Sequence, residues 1–364
     1  MKRLSILTAI ILAAAALMAS FQNCYACTGI TLKAKDGSTV VARTIEWAAS
    51  DNDCRWVVVP RGHTWKSFIP GGGTGRSFTN EYGYVGVAVV QDELMMEGMN
   101  EKGLSAGLFY FPDYGKYEEY SEANYETNIS DFQLVSYILG RCATVDEVKA
   151  EIARVHIHGF DPRSSTVHWR FAEPSGRQIV LEIIDGKCVF YENTLGVLTN
   201  SPSFDWQLTN LNNYVNLLPG RTEPHTLGNM SLSSFGGGSA MIGLPGDFTP
   251  PSRFVRAAFF QNTAPQKPNA EGSVFTAFHI LGSMEIPIGA QFAVGEAPAD
   301  IPSATQCTCV TDMSGLRFYY RSMYDGGIRC IDLKEIDFKK LEVRAAHSFE
   351  ERIRPLHQIL TFKI

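Results

Sequence analysis

Apolar and polar residues alternate with a period of two as soon as the chain passes residue 27. Ile30 and Leu32 are followed by Lys35-Asp36-Gly37-Ser38, and then by Val40 and Ala42. An Asp-Gly turn between alternating runs predicts a β-hairpin. Cys27 then starts its first strand, and Arg43 to Trp47 end the second. Tyr84–Val90 and Gly103–Phe111 read as further strands, and residues 113–129, rich in Tyr, Glu and Asn, as a surface loop beside a mouth. Ser130 and Thr144 are N-cap residues for helices over Asp131–Leu139 and on to Val155. Strands at Thr166–Phe171, Gln178–Ile184 and Lys187–Tyr191 are separated by turns at Pro174-Ser175-Gly176 and Asp185-Gly186. Helical periodicity covers Trp206–Leu218, Ser252–Phe260 and Gly272–Met284, before a last group of strands at Gln306–Asp312, Leu316–Tyr320 and Ile328–Leu333. Strand groups and helix groups joined by hairpin-length turns predict a mostly antiparallel, layered α+β domain rather than a doubly wound one. The glycine-rich stretches 71–75 and 236–238 read as loops. No Gly-Lys-Ser/Thr follows the first, so it is not a phosphate loop.

Residues 1–26 break the alternation. Lys2 and Arg3 precede an apolar run from Leu4 to Met18, the layout of a secretory signal peptide. Ala26 supplies the small residue that a cut needs, with Cys24 at the third position back. The expectation is a cut between Ala26 and Cys27, a periplasmic or secreted product, and a single domain over residues 27–364. A cut after Ala19 would instead leave residues 20–26 as a short pro-segment for self-removal. The apolar run is short for an uncleaved anchor, so no stable membrane insertion is expected after processing. Tyr25 and Cys24 fit a lipoprotein box poorly.

The net charge of −6 and pI near 5.8 exclude nucleic acid as the main partner, because phosphate binding needs a basic footprint. Of eight cysteines, Cys24 leaves with the leader and seven remain. An odd number in an exported chain points to a reactive thiol, and the wide spacings rule out a dense disulfide framework. A cysteine made N-terminal by the cut carries both a thiol nucleophile and an α-amine. That amine titrates at about 7.7–8.0 and takes the thiol proton near neutrality without help from a histidine. The plainer alternatives for Cys27 are a structural thiol or a redox pair with Cys24, which the cut would separate. His156 and His158 form a possible metal pair, but with no third ligand in sight they read as same-face strand or loop histidines. Cys307-Thr308-Cys309 is too tight for a metal ribbon and reads as structural. No Gly-x-Ser-x-Gly elbow is present. No metal or organic cofactor is implied.

Cys27-Thr28-Gly29-Ile30, taken with Ala42-Arg43-Thr44-Ile45-Glu46-Trp47, resembles the choloylglycine hydrolase family of bile salt hydrolases and penicillin V acylases, which are N-terminal-nucleophile hydrolases. Further matches occur in the same order: Gly98-Met99-Asn100-Glu101-Lys102-Gly103-Leu104, Leu198-Thr199-Asn200-Ser201-Pro202, Gln207 to Tyr214, Gly243 to Phe248, and Ser252-Arg253-Phe254. Together they cover nearly the whole chain after residue 26. The resemblance implies a four-layer αββα fold with two antiparallel sheets between helices. It makes Cys27 the nucleophile and, through its amine, the base and acid. Arg43 would lie beside the thiol and favour thiolate by its fixed charge. Glu46 occupies the place of an aspartate that binds the terminal amine in better-known members, a departure that keeps the carboxylate on a longer arm. Asn200 would help hold the oxyanion, and Arg253 would anchor the polar network. Counting back from Phe111-Pro112 makes Tyr110 the second oxyanion residue; counting from Gly107-Leu108 chooses Phe109. A tyrosine leans towards penicillin-like substrates. Trp47, Phe109, Phe111 and Met95 are candidate pocket walls, although taken alone such residues are more often core.

The implied reaction is hydrolysis of a non-peptide linear amide through a thioester, on a small molecule with an apolar acyl group. Glycine- or taurine-conjugated bile salts come first, with penicillin V or acyl-homoserine lactones as alternatives. A homotetramer is implied as well, and residues 201–240 would suit a protruding arm. A different class stays open: an exported binding protein whose Cys27 is lipidated or disulfide-bonded.

Overall fold

The Asp36-Gly37 turn joins β1 (Tyr25–Lys33) to β2 (Thr39–Trp47), with Gly37 in the left-handed region at φ 88°. The antiparallel register pairs Cys27 with Ile45, Gly29 with Arg43 and Ala26 with Glu46. This computed structural model describes residues 25–160, 165–340 and 345–348; the expected leader before Tyr25 lies outside them. Next come β3 (Arg55–Val59), the separate hairpin β4 (Thr64–Ile69) and β5 (Gly73–Thr79), and then β6 (Tyr84–Ala88), β7 (Met95–Asn100) and β8 (Ser105–Tyr110). The short strand β9 (Asn128–Ser130) precedes helices α1 (Leu134–Leu139) and α2 (Val145–Ile152) and pairs in parallel with β10 (His156–His158). β11 (Val167–Ala172), β12 (Gln178–Ile184) and β13 (Lys187–Glu192) lead to α3 (Phe204–Asn210) and to a small hairpin, β14 (His225–Leu227) with β15 (Met230–Leu232). Helices α4 (Pro250–Thr263) and α5 (Ala270–Gly282) precede β16 (Thr305–Asp312), β17 (Arg317–Ser322), β18 (Asp325–Asp332) and β19 (Ala345–Ser348).

Two antiparallel sheets dominate. One has the order β1-β2-β16-β17-β18, the other β13-β12-β11-β8-β7-β6-β3-β19. Ile45, Trp56, Val87, Met99, Cys307 and Phe318 fill the space between them. Outside the first sheet, Phe254, Ala257 and Val274 of α4 and α5 cover Ile30, Val40 and Ala42. Outside the second, Leu134, Leu139 and Val148 of α1 and α2 cover Leu108, Trp169 and Leu181. The layering is therefore αββα. Because each sheet is buried on both faces, central strands such as β2 are buried at every position but the last.

Several elements differ from their sequence reading. The helix expected over Trp206–Leu218 ends at Asn210 and continues only as a 3-10 turn through Tyr214. Val215 and Leu218 beyond it are exposed, and a helix without a buried face lacks its main support. Residues 71–75 are not a free loop. Gly71 and Gly72, both at φ 85°, make the tight turn between β4 and β5. Ser130 ends β9 and stands at the N-cap of the 3-10 turn Asp131–Gln133 that leads into α1, but its side chain makes no cap bond, whereas Thr144 accepts the Glu147 N–H at 3.2 Å and caps α2. α4 starts at Pro250, two residues before Ser252, with proline in the first turn where its missing N–H costs nothing.

Candidate active site

Strand alternation puts Cys27, Gly29 and Arg43 on the face of the first sheet that meets the second. Gly29 marks a close approach between them: a Cβ there would lie 3.1 Å from Phe109 Cζ and 3.2 Å from Arg170 Nη1. Arg43 is fully buried and spends its guanidinium on four acceptors. Nη2 donates to Cys27 Sγ at 2.8 Å, Nη1 to the carbonyls of Leu108 (2.5 Å) and Met96 (3.1 Å), and Nε to the Thr44 carbonyl at 3.1 Å. The Phe109 ring lies 4.0 Å beneath it. Burial disfavours its charge, but Cys27 and Glu97, with Cys309 and Glu46, outweigh burial and hold Arg43 above its ordinary value.

Behind Arg43 lies a buried ion cluster. Glu97 Oε1 accepts from Arg170 Nη2 at 2.6 Å and from Ser105 Oγ at 3.2 Å, and Oε2 stands 3.7 Å from Arg43 Nη1. Gly107 makes room for that carboxylate: a Cβ on it would lie 2.0 Å from Glu97 Oε2. Burial lowers Arg170 from its ordinary value, against the pull of Glu97.

The helix side of β1 carries a second cluster. Arg253 of α4 donates from Nη1 to the Cys27 carbonyl and to Thr28 Oγ1 (2.9 Å), and from Nη2 to Asn200 Oδ1 (2.8 Å). The same Oδ1 accepts the Cys27 backbone N–H at 2.8 Å, while Asn200 Nδ2 donates to the Tyr110 carbonyl at 2.8 Å. Glu46 Oε1 accepts from Thr305 Oγ1 at 3.2 Å, and its Oε2 is buried without a hydrogen-bond partner among the described residues. Burial pushes Glu46 up to about 7 against the attraction of Arg253, and burial likewise brings Arg253 down to about 10. Desolvation outweighs their mutual attraction in both.

Cys27, Arg43, Asn200 and Arg253 are thus joined by direct bonds, and Glu46 belongs to the same cluster through Arg253. The expected pocket walls are placed differently. Met95 is fully buried in the core beneath α1 and α2, so it lines no opening; its neighbour Met96 lends a carbonyl to Arg43. Phe109 is fully buried under Arg43, and Phe111 is fully buried and stacked on His168 at 4.5 Å. Both are core, because β8 is covered on both faces. Trp47 is half-buried at the end of β2, with Nε1 donating to Ser50 Oγ at 3.1 Å. Alternation along β8 turns Phe109 towards the thiol side. Tyr110 packs against the helix-side core; burial raises its hydroxyl against a hydrogen bond with Ser165, and its carbonyl is what meets Asn200.

Sequence reading missed Glu97, Arg170, His168 and Glu182, all buried. Their signal is visible afterwards: each is a charged or titratable residue inside a strand whose apolar neighbours are buried on both faces. His156 and His158 bond locally, to Thr127 Oγ1 (2.9 Å) and the Gly159 carbonyl (3.0 Å), and burial lowers His158. Among the described residues no group of three His, Cys, Asp or Glu is arranged to hold a metal ion. Cys307 and Cys309 lie with their sulfurs 3.4 Å apart in the core between the sheets, and burial raises the Cys307 thiol well above its ordinary value. Cys27, Cys142, Cys188, Cys307, Cys309 and Cys330 are free thiols. A buried thiol against a guanidinium, a backbone nitrogen held by an amide, and a carboxylate with a free oxygen together suit acyl transfer to sulfur.

Comparison with known proteins gives the family and the fold. The profile of the linear amide C-N hydrolases, choloylglycine hydrolase family, matches residues 27–345. A bile salt hydrolase/transferase from Clostridium perfringens is 31% identical over 325 residues, covering 87% of this chain and 95% of the relative. A variant of the conjugated bile acid hydrolase from the same species superposes with a TM-score of 0.78 at 28% identity, over 90% of this chain and 99% of that one. The penicillin V acylase of Agrobacterium tumefaciens superposes with a TM-score of 0.68 at 25% identity, over 88% and 90% of the two chains. These structures share the N-terminal-nucleophile hydrolase fold.

Proposed function

The chain belongs to the choloylglycine hydrolase family of linear amide C–N hydrolases, and on that premise we propose that it deconjugates glycine- or taurine-linked bile salts with Cys27 as nucleophile. The observation that carries this reading is the pairing of Cys27 Sγ with Arg43 Nη2, and of Cys27 N with Asn200 Oδ1, each at 2.8 Å.

Activation depends on a cut before Cys27, made during export to the periplasm or beyond. In the uncut chain β1 runs on through Ala26 and Tyr25, and Cys27 is only 3% exposed. The cut turns the Cys27 peptide nitrogen into an amine beside Glu46, the cross-strand partner of Ala26. The free Oε2 of Glu46 supports a contact with that amine.

The thiol proton passes to the α-amine and the sulfur attacks the amide carbonyl carbon, forming the S–C bond and an oxyanion. Asn200 Nδ2 has one hydrogen on the Tyr110 carbonyl and a second to offer that oxygen. Collapse breaks the C–N bond, and the α-ammonium protonates the leaving nitrogen. Water then adds to the thioester, giving a proton to the amine, and the acid leaves with the thiol restored.

Likeness to a penicillin V acylase supports a second reading, an acylase for penicillin V; an acyl-homoserine lactone would need the same chemistry. A side-by-side assay of glycocholate, taurocholate, penicillin V and a long-chain acyl-homoserine lactone tests the choice. Preference for either conjugated bile salt is expected, and turnover confined to penicillin V or the lactone overturns it. Intact-mass measurement of the exported protein addresses the binding-protein class: loss of residues 1–26 with a free amine is expected, and a lipid adduct overturns the enzyme reading. The exposed apolar side chains Leu227, Met230, Phe235 and Ile242 support a homo-oligomer, a tetramer by family resemblance, which light scattering on the purified protein would measure.

A further inference from the structure

We infer that His168 and Glu182 are positioning residues that set the place of Asn200, an inference that rests on the role proposed for Asn200 above. His168 on β11 and Glu182 on β12 are both wholly buried. His168 Nε2 lies 3.0 Å from the Thr199 carbonyl oxygen. That oxygen can only accept, so Nε2 carries a hydrogen and donates. On the other side of the ring, Nδ1 lies 3.1 Å from Glu182 Oε1, and a proton is shared along that line whichever partner formally holds it.

The same Glu182 oxygen accepts the backbone N–H of Phe204 at 2.9 Å, and its Oε2 has no hydrogen-bond partner among the described residues. Every hydrogen bond of this carboxylate is therefore directed to His168 or to Phe204. Together the pair grips the chain at the Thr199 carbonyl and at the Phe204 amide, with Asn200 between the two points. The ring plane is fixed by Phe111, stacked at 4.5 Å and 8°, and by the edge of Phe109, the same ring that supports Arg43. Burying two titratable groups carries a desolvation cost that an apolar pair of the same volume would not. What the pair supplies in return is a fixed location for Thr199, and hence for Asn200.

That location is demanding. Asn200 Oδ1 serves Cys27 N and Arg253, Nδ2 serves the Tyr110 carbonyl, and one Nδ2 hydrogen must still meet the oxyanion. A displacement near 1 Å costs about a hundredfold in such a site.

The two ring nitrogens can be replaced separately. In His168→Gln the side-chain amide nitrogen reaches the place of Nε2, keeping the donor to Thr199. In His168→Asn the nitrogen reaches only the place of Nδ1, and the Thr199 bond is lost. On the preferred substrate of the four-compound panel, His168→Asn should lose about tenfold or more in kcat with KM changed by less than about threefold, while His168→Gln retains most of kcat. His168→Gln should keep the wild-type rate of Cys27 alkylation by iodoacetamide, since Asn200 and the Cys27 nitrogen it holds stay in place. Equal kcat in the Asn and Gln variants would overturn the inference, as would a loss of alkylation in His168→Gln. Should neither histidine variant fold, Glu182→Gln is close to isosteric, and about a three- to tenfold fall in kcat is expected from it; wild-type kcat there overturns the inference equally. Backbone hydrogen exchange over residues 198–204 reads the positioning without any turnover. It should quicken in His168→Asn and not in His168→Gln, and unchanged exchange in both is contrary. A wild-type enzyme that turns over none of the panel sinks the proposed function, whereas the exchange result still decides this inference.

Discussion

Glu97 stands 3.7 Å from Arg43 but 2.6 Å from Arg170, so one buried carboxylate divides itself unequally between two buried guanidinium groups. Attraction falls with separation and is weakly screened in an interior, so the nearer pair takes the larger share. Arg170 absorbs most of the field of Glu97. Arg43 turns Nη2 to the sulfur, while Glu97 faces it across Nη1. Two cations and one carboxylate leave a positive balance between the sheets beside Cys27.

Glu97→Gln would leave both cations without their carboxylate. A loss of about 3–5 kcal/mol is expected, the usual cost of removing one partner from a buried pair. The urea midpoint of the purified variant measures it, and wild-type stability would show that the cluster contributes nothing.

Cys27→Ala should abolish amide hydrolysis and leave the circular dichroism spectrum unchanged, since its side chain is wanted for chemistry. Cys27→Ser should be nearly inactive, because the Arg43 contact is set for a sulfur and a hydroxyl yields far less nucleophilic anion than a thiol near neutrality. Turnover near wild type in either variant would place the nucleophile elsewhere.

Arg43→Lys tests geometry against charge. An ammonium cannot serve the Thr44, Met96 and Leu108 carbonyls and the sulfur at once. A fall of ~100-fold in kcat is expected, read by steady-state kinetics. A smaller effect would mean that positive charge alone suffices.

The burial of Glu46 makes a pH prediction for the chain kept uncut by expression without export. Its folded value, about 7, lies above the ordinary 4.5. The contribution of this group to stability is therefore fully present below pH 4.5 and is lost as pH rises through 7, on the order of 3 kcal/mol in all. Asp131, raised to about 7 by burial, adds a slope of the same sign. Glu46→Gln should remove only its own share of the slope between pH 4.5 and 7 in a denaturation series. An unchanged slope would show that Glu46 is not held neutral.

Gly107→Ala would press a methyl group on Glu97 Oε2 and should cost about 1–3 kcal/mol, as overpacking usually does. In a Glu97→Ala background the obstruction is gone, so the two changes should be less than additive in a double-mutant cycle. Strict additivity would mean that Gly107 matters for another reason.

The sequence by itself determined the hairpin that carries Cys27 and Arg43, because an Asp-Gly turn and a period of two are local signals. It determined the family as well, since motifs such as Leu198-Thr199-Asn200 recur in order whether or not their contacts are known. Tertiary structure alone decided which residues surround the thiol. Glu97 and Arg170 lie on β7 and β11 and meet only when β8 pairs between them, with Gly107 in register with both, so no local pattern marks them as a pair. β7 itself gave no strand signal, because a strand buried on both faces with an inward carboxylate does not alternate. The same double burial moved Met95, Phe109 and Phe111 from expected pocket walls into the core. It also left His168 and Glu182 to be recognised only once their strands were neighbours, since what they hold, the carbonyl of Thr199, is a backbone atom that a sequence does not distinguish from any other.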